Sequence, residues 1–136
     1  MDNLSPVDRR RAMQAVRVRN TKPELLVRKR AHAIGLRFRL HRRDLLGTPD
    51  LVFPRRRTVV FVHGCFWHGR SDCPRGRLPQ TNGEFWSAKI ERNKARDSAA
   101  IELLQRASWS VVVIWECETR SVEKIDNCLS PLLLGS

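Results

Sequence analysis

The sequence predicts one α/β domain in which helices pack on both faces of a mixed sheet. A chain of 136 residues, 41% of them hydrophobic, is long enough to form one domain with its own core. Two short apolar runs, Thr58–His63 and Ser110–Trp115, have the composition of buried strands. Helical patterns flank and separate these runs, which is the element order of an α/β domain.

The first helix of this domain is predicted to begin at a capping box. Thr21 is a good N-cap residue, and Glu24 follows it at the spacing that lets both side chains cap the first turn. The helix should run to about Ile34 and close at Gly35. Residues 1–20, which precede it, are predicted to form a basic N-terminal arm or helix.

A β-hairpin is predicted in the middle of the chain. The segments Asp50–Phe53 and Thr58–His63 read as strands joined by a tight, arginine-rich turn. An antiparallel ladder around this turn places Asp50 roughly opposite Val62. The second strand is apolar on both faces, so we expect it in the centre of the sheet. A further strand is predicted near Arg37–Leu40.

A long loop and a long helix follow the hairpin. The segment Gly64–Gly83 is rich in Gly, Pro, Cys and charge, and loops of this length are usually functional. The run Thr81–Glu84 repeats the capping-box form, and a helix should continue to about Ala107. Asp97 falls in the middle of the apolar stripe of this helix, and a last helix is predicted over Val122–Leu133. The stripe consists of Trp86, Ile90, Asn93, Ile101 and Leu104.

The charge of the chain indicates a polyanionic partner. Lys and Arg number 26 against 14 Asp and Glu, which gives a net charge of +12. Nucleic acid is favoured over a membrane surface, because the basic residues are spread from Arg9 to Arg120 and there is no long apolar run. The first residues lack the apolar stretch of a secretory signal, so we expect a cytoplasmic protein without disulfides.

Asp50 and His63 are candidates for hydrolytic chemistry. A carboxylate at the start of one strand and the Val62 carbonyl on its partner could hold Mg²⁺, which prefers oxygen ligands. His63 or His68 would then activate water, since imidazole titrates near neutral pH. The competing interpretation gives Asp50 and His63 purely structural roles, and spacing alone favours it.

Three cysteines form a candidate zinc site. Cys65 and Cys117 each follow a predicted buried strand, and Cys73 lies in the loop, so neighbouring strand ends could bring their thiols to one tetrahedral Zn²⁺. Asp72 and His68 are candidates for the fourth ligand, and Asp72 is preferred because it leaves His68 free. The alternative is three ordinary buried cysteines.

Four other residues are singled out by their positions. Phe66, Trp67 and Trp86 lie in or beside the charged loop, where aromatic side chains could wedge between base pairs. Asp97 on an apolar stripe needs a partner, because an unpaired buried carboxylate is costly. Either an active-site histidine or a nearby arginine could supply it.

The motifs of the chain resemble those of the very short patch repair (Vsr) endonucleases. The similarity rests on the string Val62–His68 (VHGCFWH), on Gly47–Asp50 before it and on Trp115–Cys117 after it, and extends from about Asp8 to Arg120. The family nicks DNA on the 5′ side of the thymine in a T·G mismatch that arises from deamination of 5-methylcytosine. Its fold is the restriction-endonuclease-like core of the PD-(D/E)xK superfamily.

The resemblance implies a role for each candidate residue. Asp50 and the Val62 carbonyl would bind catalytic Mg²⁺, with Glu24 at the margin of the site. Zinc would be structural, held by the three cysteines and a fourth ligand. The histidines, their acidic partner and the DNA-contacting residues would be His63, His68, Asp97, Phe66, Trp67, Trp86 and, in the N-terminal arm, Met13.

Two positions depart from the family pattern. Val62 stands where the family commonly has threonine, which is acceptable if only the carbonyl binds the metal. The usual zinc histidine between the loop cysteines is absent, and Gly69–Asp72 occupies that stretch.

The expected function is therefore a Mg²⁺-dependent T·G mismatch endonuclease, with residues 1–20 contacting DNA and residues 21–136 forming the nuclease domain. Double-stranded DNA is the expected partner, mismatch-repair proteins are further candidates, and we expect a monomer at the bacterial nucleoid. A restriction-type endonuclease of the same fold and a zinc-stabilised DNA-binding module without cleavage are the alternatives.

Overall fold

The computed structural model describes residues 21–40, 42, 44–70, 73 and 81–134. In this part of the chain, four strands and four helices follow one another in the order α, β, β, β, α, β, α, α. Single 3₁₀ turns follow the second and fourth strands. The elements are α1 (Lys22–Ala33), β1 (Arg39–Leu40), β2 (Leu51–Phe53), β3 (Thr58–His63), α2 (Gly83–Arg106), β4 (Ser110–Trp115), α3 (Val122–Leu129) and α4 (Pro131–Leu134).

The four strands form one mixed sheet in the order β1-β2-β3-β4. The pairs β1–β2 and β2–β3 are antiparallel, whereas β3 and β4 are parallel, with His63 opposite Trp115. The predicted hairpin and the central position of β3 are confirmed, but the register differs from the predicted one by one residue: Leu51 pairs with Val60, so Asp50 comes opposite Phe61 rather than Val62. The strand expected near Arg37–Leu40 is present, but only Arg39–Leu40 is paired.

Helices cover both faces of the sheet, as predicted. Because side chains alternate along a strand, Leu51 and Val60 point to one face, while Val52 and Val59 point to the other. The first core packs against α1, α3 and α4 through Val27, Ala31, Ile125, Leu129 and Leu132. The second packs against α2 and the loop before β4 through Leu104 and Trp109.

The predicted helix ends are partly correct. The Thr21 hydroxyl accepts a hydrogen bond from the Glu24 N–H at 3.4 Å, and Gly35 closes α1 with a φ of +85°. The second capping box is wrong. Helix α2 begins one residue later, after Asn82 in a left-handed conformation, so Glu84 loses the N3 position and no side chain caps the helix.

The last predicted helix is divided in two. Helix α3 ends at Leu129, and the Ser130 N–H donates to the Asp126 carbonyl at 2.7 Å. Pro131 starts α4, because proline has no N–H to continue the hydrogen-bond ladder but fits the first turn of a helix. None of the helices in the described ranges is long and apolar enough to cross a membrane.

Candidate active site and metal centre

Asp50 lies at the end of the sheet where β2 begins and β3 ends. Its N–H donates to the Val60 carbonyl at 3.0 Å, and its Oδ2 accepts the Val62 N–H at 2.6 Å. The carboxylate thus takes the place of a main-chain acceptor where the β2–β3 ladder stops. The N–H and C=O of one residue leave a strand on the same edge, so the Val62 carbonyl also faces the Asp50 side of β3.

Glu24 brings a second carboxylate to Asp50. It sits in the first turn of α1, is only 5% exposed and shares a hydrogen bond with the Asp50 carboxyl group. Burial raises the pKa of Asp50 to about 8, and the neighbouring Glu24 charge adds to this, whereas the Val62 N–H opposes it. Two adjacent, partly desolvated carboxyl groups are a donor set that suits a hard cation such as Mg²⁺.

A second polar group consists of His63, His68 and Asp97. Their ligand atoms lie within 4.8 Å of one another, and His68 Nδ1 is 2.5 Å from Asp97 Oδ2. The rings of His63 and His68 stack with a centroid distance of 3.8 Å and an interplanar angle of 4°. The structure thus gives Asp97 a histidine partner, one of the two partners that the sequence left open.

Gly69 allows this arrangement to form. It has a φ of +66°, and a Cβ added there would lie 2.6 Å from Ile90 Cγ2 and 2.8 Å from Lys94 Cδ on α2. A residue with a side chain at position 69 would therefore keep the loop further from α2. The close approach at Gly69 places the preceding residue, His68, next to Asp97.

The two histidines are not arranged as ligands of one cation. A metal bound to an imidazole nitrogen lies in the plane of the ring, and the parallel planes of His63 and His68 cannot share one such ion. Burial, together with the neighbouring His68, lowers the pKa of His63 to about 4, so His63 is neutral at pH 7. The group therefore suits proton transfer better than metal binding.

The cysteines predicted to bind zinc are brought together. The sulfur atoms of Cys65, Cys73 and Cys117 lie within 4.8 Å of one another, and Cys65 and Cys73 are buried. A tetrahedral zinc site with Zn–S distances near 2.3 Å needs sulfur atoms about 3.8 Å apart, so the three thiols fit such a site. Burial raises the pKa of Cys65 to about 12, and this thiol would give up its proton to a bound metal.

A charged side chain, Arg70, contacts the cysteine cluster. Arg70 Nη1 lies 3.4 Å from Cys117 Sγ and 3.4 Å from Glu118 Oε1, and its guanidinium stacks 5.3 Å from the centre of the Trp115 ring. Trp115 in turn meets His63 edge-on, with a centroid distance of 5.4 Å. The cluster and the histidine group are therefore joined through packed side chains.

The aromatic candidates form one cluster beside the histidines. Phe66, Trp67 and Trp86 contact one another at centroid distances of 5.1 to 6.0 Å. Phe66 and Trp86 are partly exposed, but Trp67 is only 7% exposed, and the Asn93 side chain donates to its carbonyl at 2.9 Å. In this conformation Trp67 is therefore a buried residue against which Phe66 and Trp86 pack, and its own ring is not exposed for insertion into DNA.

Three residues of the site were missed by sequence reasoning. Phe85 is 52% exposed and contacts Trp86, Asn93 holds the loop, and Arg28 pairs with Glu24 at 2.9 Å. The signal for Asn93 was present, since a polar amide on an apolar stripe needs a partner. The proposed roles of Met13 and Asp72 fall outside the described residues.

Comparison with known proteins identifies the family. A sequence model described as DNA mismatch endonuclease Vsr matches residues 1–75. The chain is 52% identical over 132 residues to the type II nicking enzyme V.XorIIP of Xanthomonas oryzae pv. oryzae (strain KACC10331 / KXO85), covering 97% of this chain and 96% of the relative.

Two further relatives cover most of the chain. The type II nicking enzyme V.NmeAIP of Neisseria meningitidis (serogroup A, strain Z2491) is 41% identical over 109 residues, which are 80% of this chain and 77% of the relative. The DNA mismatch endonuclease Vsr of Escherichia coli (strain K12) is 39% identical over 119 residues, 88% of this chain and 76% of the relative. The chain therefore belongs to the Vsr family of DNA mismatch endonucleases.

Proposed function

We propose that the protein is a Mg²⁺-dependent endonuclease that nicks the thymine-containing strand on the 5′ side of the T in a T·G mismatch. The observation that carries this proposal is the meeting of two groups at one end of the sheet. The Asp50 carboxylate, paired with Glu24, accepts the Val62 N–H, and the next residue along β3, His63, belongs to the His63–His68–Asp97 group. A cation site beside a proton acceptor is what metal-assisted phosphodiester hydrolysis requires.

Within this proposal, His68 takes the proton from the attacking water. Asp97 accepts the hydrogen bond from Nδ1–H, which directs Nε2 away from the carboxylate and stabilises the ring when it becomes charged. His63, stacked on His68, stays neutral at pH 7 and therefore adds no like charge when His68 is protonated. This division of roles follows from the different environments of the two rings.

Asp50, Glu24 and the Val62 carbonyl would hold the cation. When bound, Mg²⁺ would polarise the scissile phosphate and stabilise the leaving oxygen. The residues themselves supply a fixed frame, because the Val62 N–H orients the Asp50 carboxylate and α1 presents Glu24 from its first turn.

The DNA would be held by charge and by the aromatic cluster. A net charge of +12 favours binding to the phosphate backbone, and this contribution weakens as salt is raised. Phe66 and Trp86, with Phe85 beside them, form a cluster of partly or largely exposed aromatic side chains and would insert next to the mismatch. Structural Zn²⁺ on the cysteine cluster would fix the loop that carries Phe66.

The sheet supports a restriction-endonuclease-like core. A mixed four-stranded sheet carries the acidic residue at the start of β2, and the catalytic candidates follow on β3. A second candidate function is a restriction-type or sequence-specific nicking activity on matched DNA. It is favoured by the name of the 52% identical relative, which is a type II nicking enzyme.

One experiment separates these functions. The full chain is incubated with end-labelled T·G and matched C·G duplexes, with Mg²⁺ or with EDTA, beside Asp50→Ala. We expect a single nick in the T strand, only with Mg²⁺ and only with the unmodified protein. Equal cutting of the matched duplex would favour the second function, and tight binding without a nick would mean a DNA-binding module.

A further inference from the structure

Arg28 occupies a position beside the carboxyl pair to which the proposed mechanism gives no role. It lies one turn after Glu24 on α1, and its Nη2 donates to Glu24 Oε2 at 2.9 Å. The side chains of the two residues are only 14% and 7% exposed. Charges withdrawn from water in this way must compensate each other, so the pair is more than a solvated surface contact.

The geometry of this ion pair differs from that of its neighbour on the same helix. Arg30 binds Asp126 with two parallel hydrogen bonds, Nε to Oδ1 at 2.9 Å and Nη2 to Oδ2 at 2.8 Å. Arg28 uses only Nη2 on Glu24, and within the described residues its buried Nε has no hydrogen-bond partner. A buried guanidinium donor without a partner is uncommon, because it costs free energy. Arg28 is therefore held by charge rather than by a complete set of hydrogen bonds.

The positions of the charges suggest what this arginine does. Glu24 is one of the proposed cation ligands, so Arg28 directly contacts an oxygen atom of the proposed site, and Glu24 in turn shares a hydrogen bond with the Asp50 carboxyl group. In the metal-free protein the guanidinium neutralises Glu24. When a cation joins the carboxyl pair, the same guanidinium becomes a like charge close to it.

We infer that Arg28 is the resident counter-ion of Glu24, which positions this carboxylate in the metal-free protein and weakens the binding of Mg²⁺ by competing with it. Arg28 is thus a positioning residue, not a catalytic one. The inference rests on the proposed function for the identity of the cation, but the counter-ion role stands on the ion pair alone. The coupling between Arg28 and a bound Mg²⁺ is reciprocal. It should therefore be measurable both as a change in Mg²⁺ affinity when Arg28 is replaced and as a change in the stability of the variant when Mg²⁺ is added.

The test compares Arg28→Met with Arg30→Met, a matched control on the same helix outside the site. Thermal unfolding is followed for the full chain in EDTA and in excess Mg²⁺. We expect both variants to be destabilised in EDTA, but only Arg28→Met to recover when Mg²⁺ is added. Calorimetric titration should give Arg28→Met a Mg²⁺ dissociation constant about five- to tenfold lower than that of the unmodified protein. Arg28→Lys keeps the charge and should keep the original constant.

A destabilisation of Arg28→Met that is equal with and without Mg²⁺, as expected for Arg30→Met, would overturn the inference. If Arg28→Met does not fold, the double variant Glu24→Gln, Arg28→Met decides. It should fold and be more stable in EDTA than the single variant, and failure to rescue would refute the counter-ion role. A lack of any Mg²⁺ response in the unmodified protein would instead refute the magnesium site, while the EDTA comparison would still report on Arg28.

Discussion

Binding of Mg²⁺ to the metal-free protein should release a proton from Asp50. The pKa of this carboxyl group is raised from 3.8 to about 8, chiefly by burial, whereas a carboxylate that binds a cation is ionised. With a pKa of about 8, about nine tenths of the groups are protonated at pH 7 and about one tenth at pH 9. The expected release is therefore about 0.9 proton per Mg²⁺ at pH 7, falling to about 0.1 at pH 9.

The assay is a titration of weakly buffered, metal-free protein with MgCl₂, in which a pH indicator reports the protons released. Apparent Mg²⁺ affinity should also rise by up to about tenfold per pH unit below pH 8 and level off above it. Asp50→Asn is the control and should release no proton. A release close to zero at pH 7, with Mg²⁺ bound, would show that Asp50 is already ionised and that our account of its environment is wrong.

The raised pKa of Asp50 also determines how the stability of the metal-free protein changes with pH. Its pKa in the folded protein lies above the ordinary value, so the folded state holds a proton that the unfolded chain releases. In EDTA, the free energy of unfolding should therefore fall between about pH 4 and pH 8, relative to Asp50→Asn, by at most about 1.4 kcal/mol per pH unit. The comparison with Asp50→Asn removes the contribution of His63, whose lowered pKa acts with the opposite sign at acidic pH.

Three further predictions concern the other parts of the site. His68→Ala should slow single-turnover nicking by about 10²- to 10⁴-fold without weakening binding of the T·G duplex, and a loss of binding instead would assign His68 to DNA recognition. Cys117→Ser should lower the zinc content measured by elemental analysis from about one ion per chain, whereas unchanged zinc would exclude this thiol from the site. Phe66→Ala should weaken binding of the T·G duplex by about 1–3 kcal/mol in a fluorescence titration, and equal weakening for matched DNA would argue against insertion at the mismatch.

The parts of the site that follow local rules could be predicted from the sequence. The turn after β2 fixes the ladder, and the ladder brings Asp50 to the Val62 N–H. The zinc candidates follow the same logic, because Cys65 and Cys117 each lie two residues beyond the paired ends of β3 and β4, His63 and Trp115. In parallel strands an equal offset from the paired ends keeps two residues side by side.

Contacts made by packing could not be predicted in this way. The choice of His68 as the partner of Asp97 depends on how closely the loop approaches α2, and that distance is set by Gly69 against Ile90. Glu24 has the residue type and the spacing from Thr21 that are expected of an N3 capping residue, yet its carboxylate turns inward to Asp50 and Arg28. The free energy gained by pairing buried charges is larger than that of a cap at the helix surface. The spacing of residues in α1 is compatible with both arrangements, so the sequence does not reveal which one forms.

The cysteine cluster and the proposed proton acceptor are mechanically linked through very few residues. Cys65 is three residues before His68, and the Cys65 carbonyl accepts the Arg70 N–H at 3.0 Å, so a main-chain hydrogen bond closes this short turn. The sulfur of Cys65, at the start of the turn, lies within 4.8 Å of the sulfur of Cys117, which follows β4, and the end of the turn packs closely against α2 at Gly69. A zinc ion on the cluster would therefore act on catalysis without touching substrate, since it would fix the distance between His68 and Asp97. Loss of zinc should for this reason reduce the nicking rate before it unfolds the sheet, because β3 and β4 are paired along their whole length by main-chain hydrogen bonds.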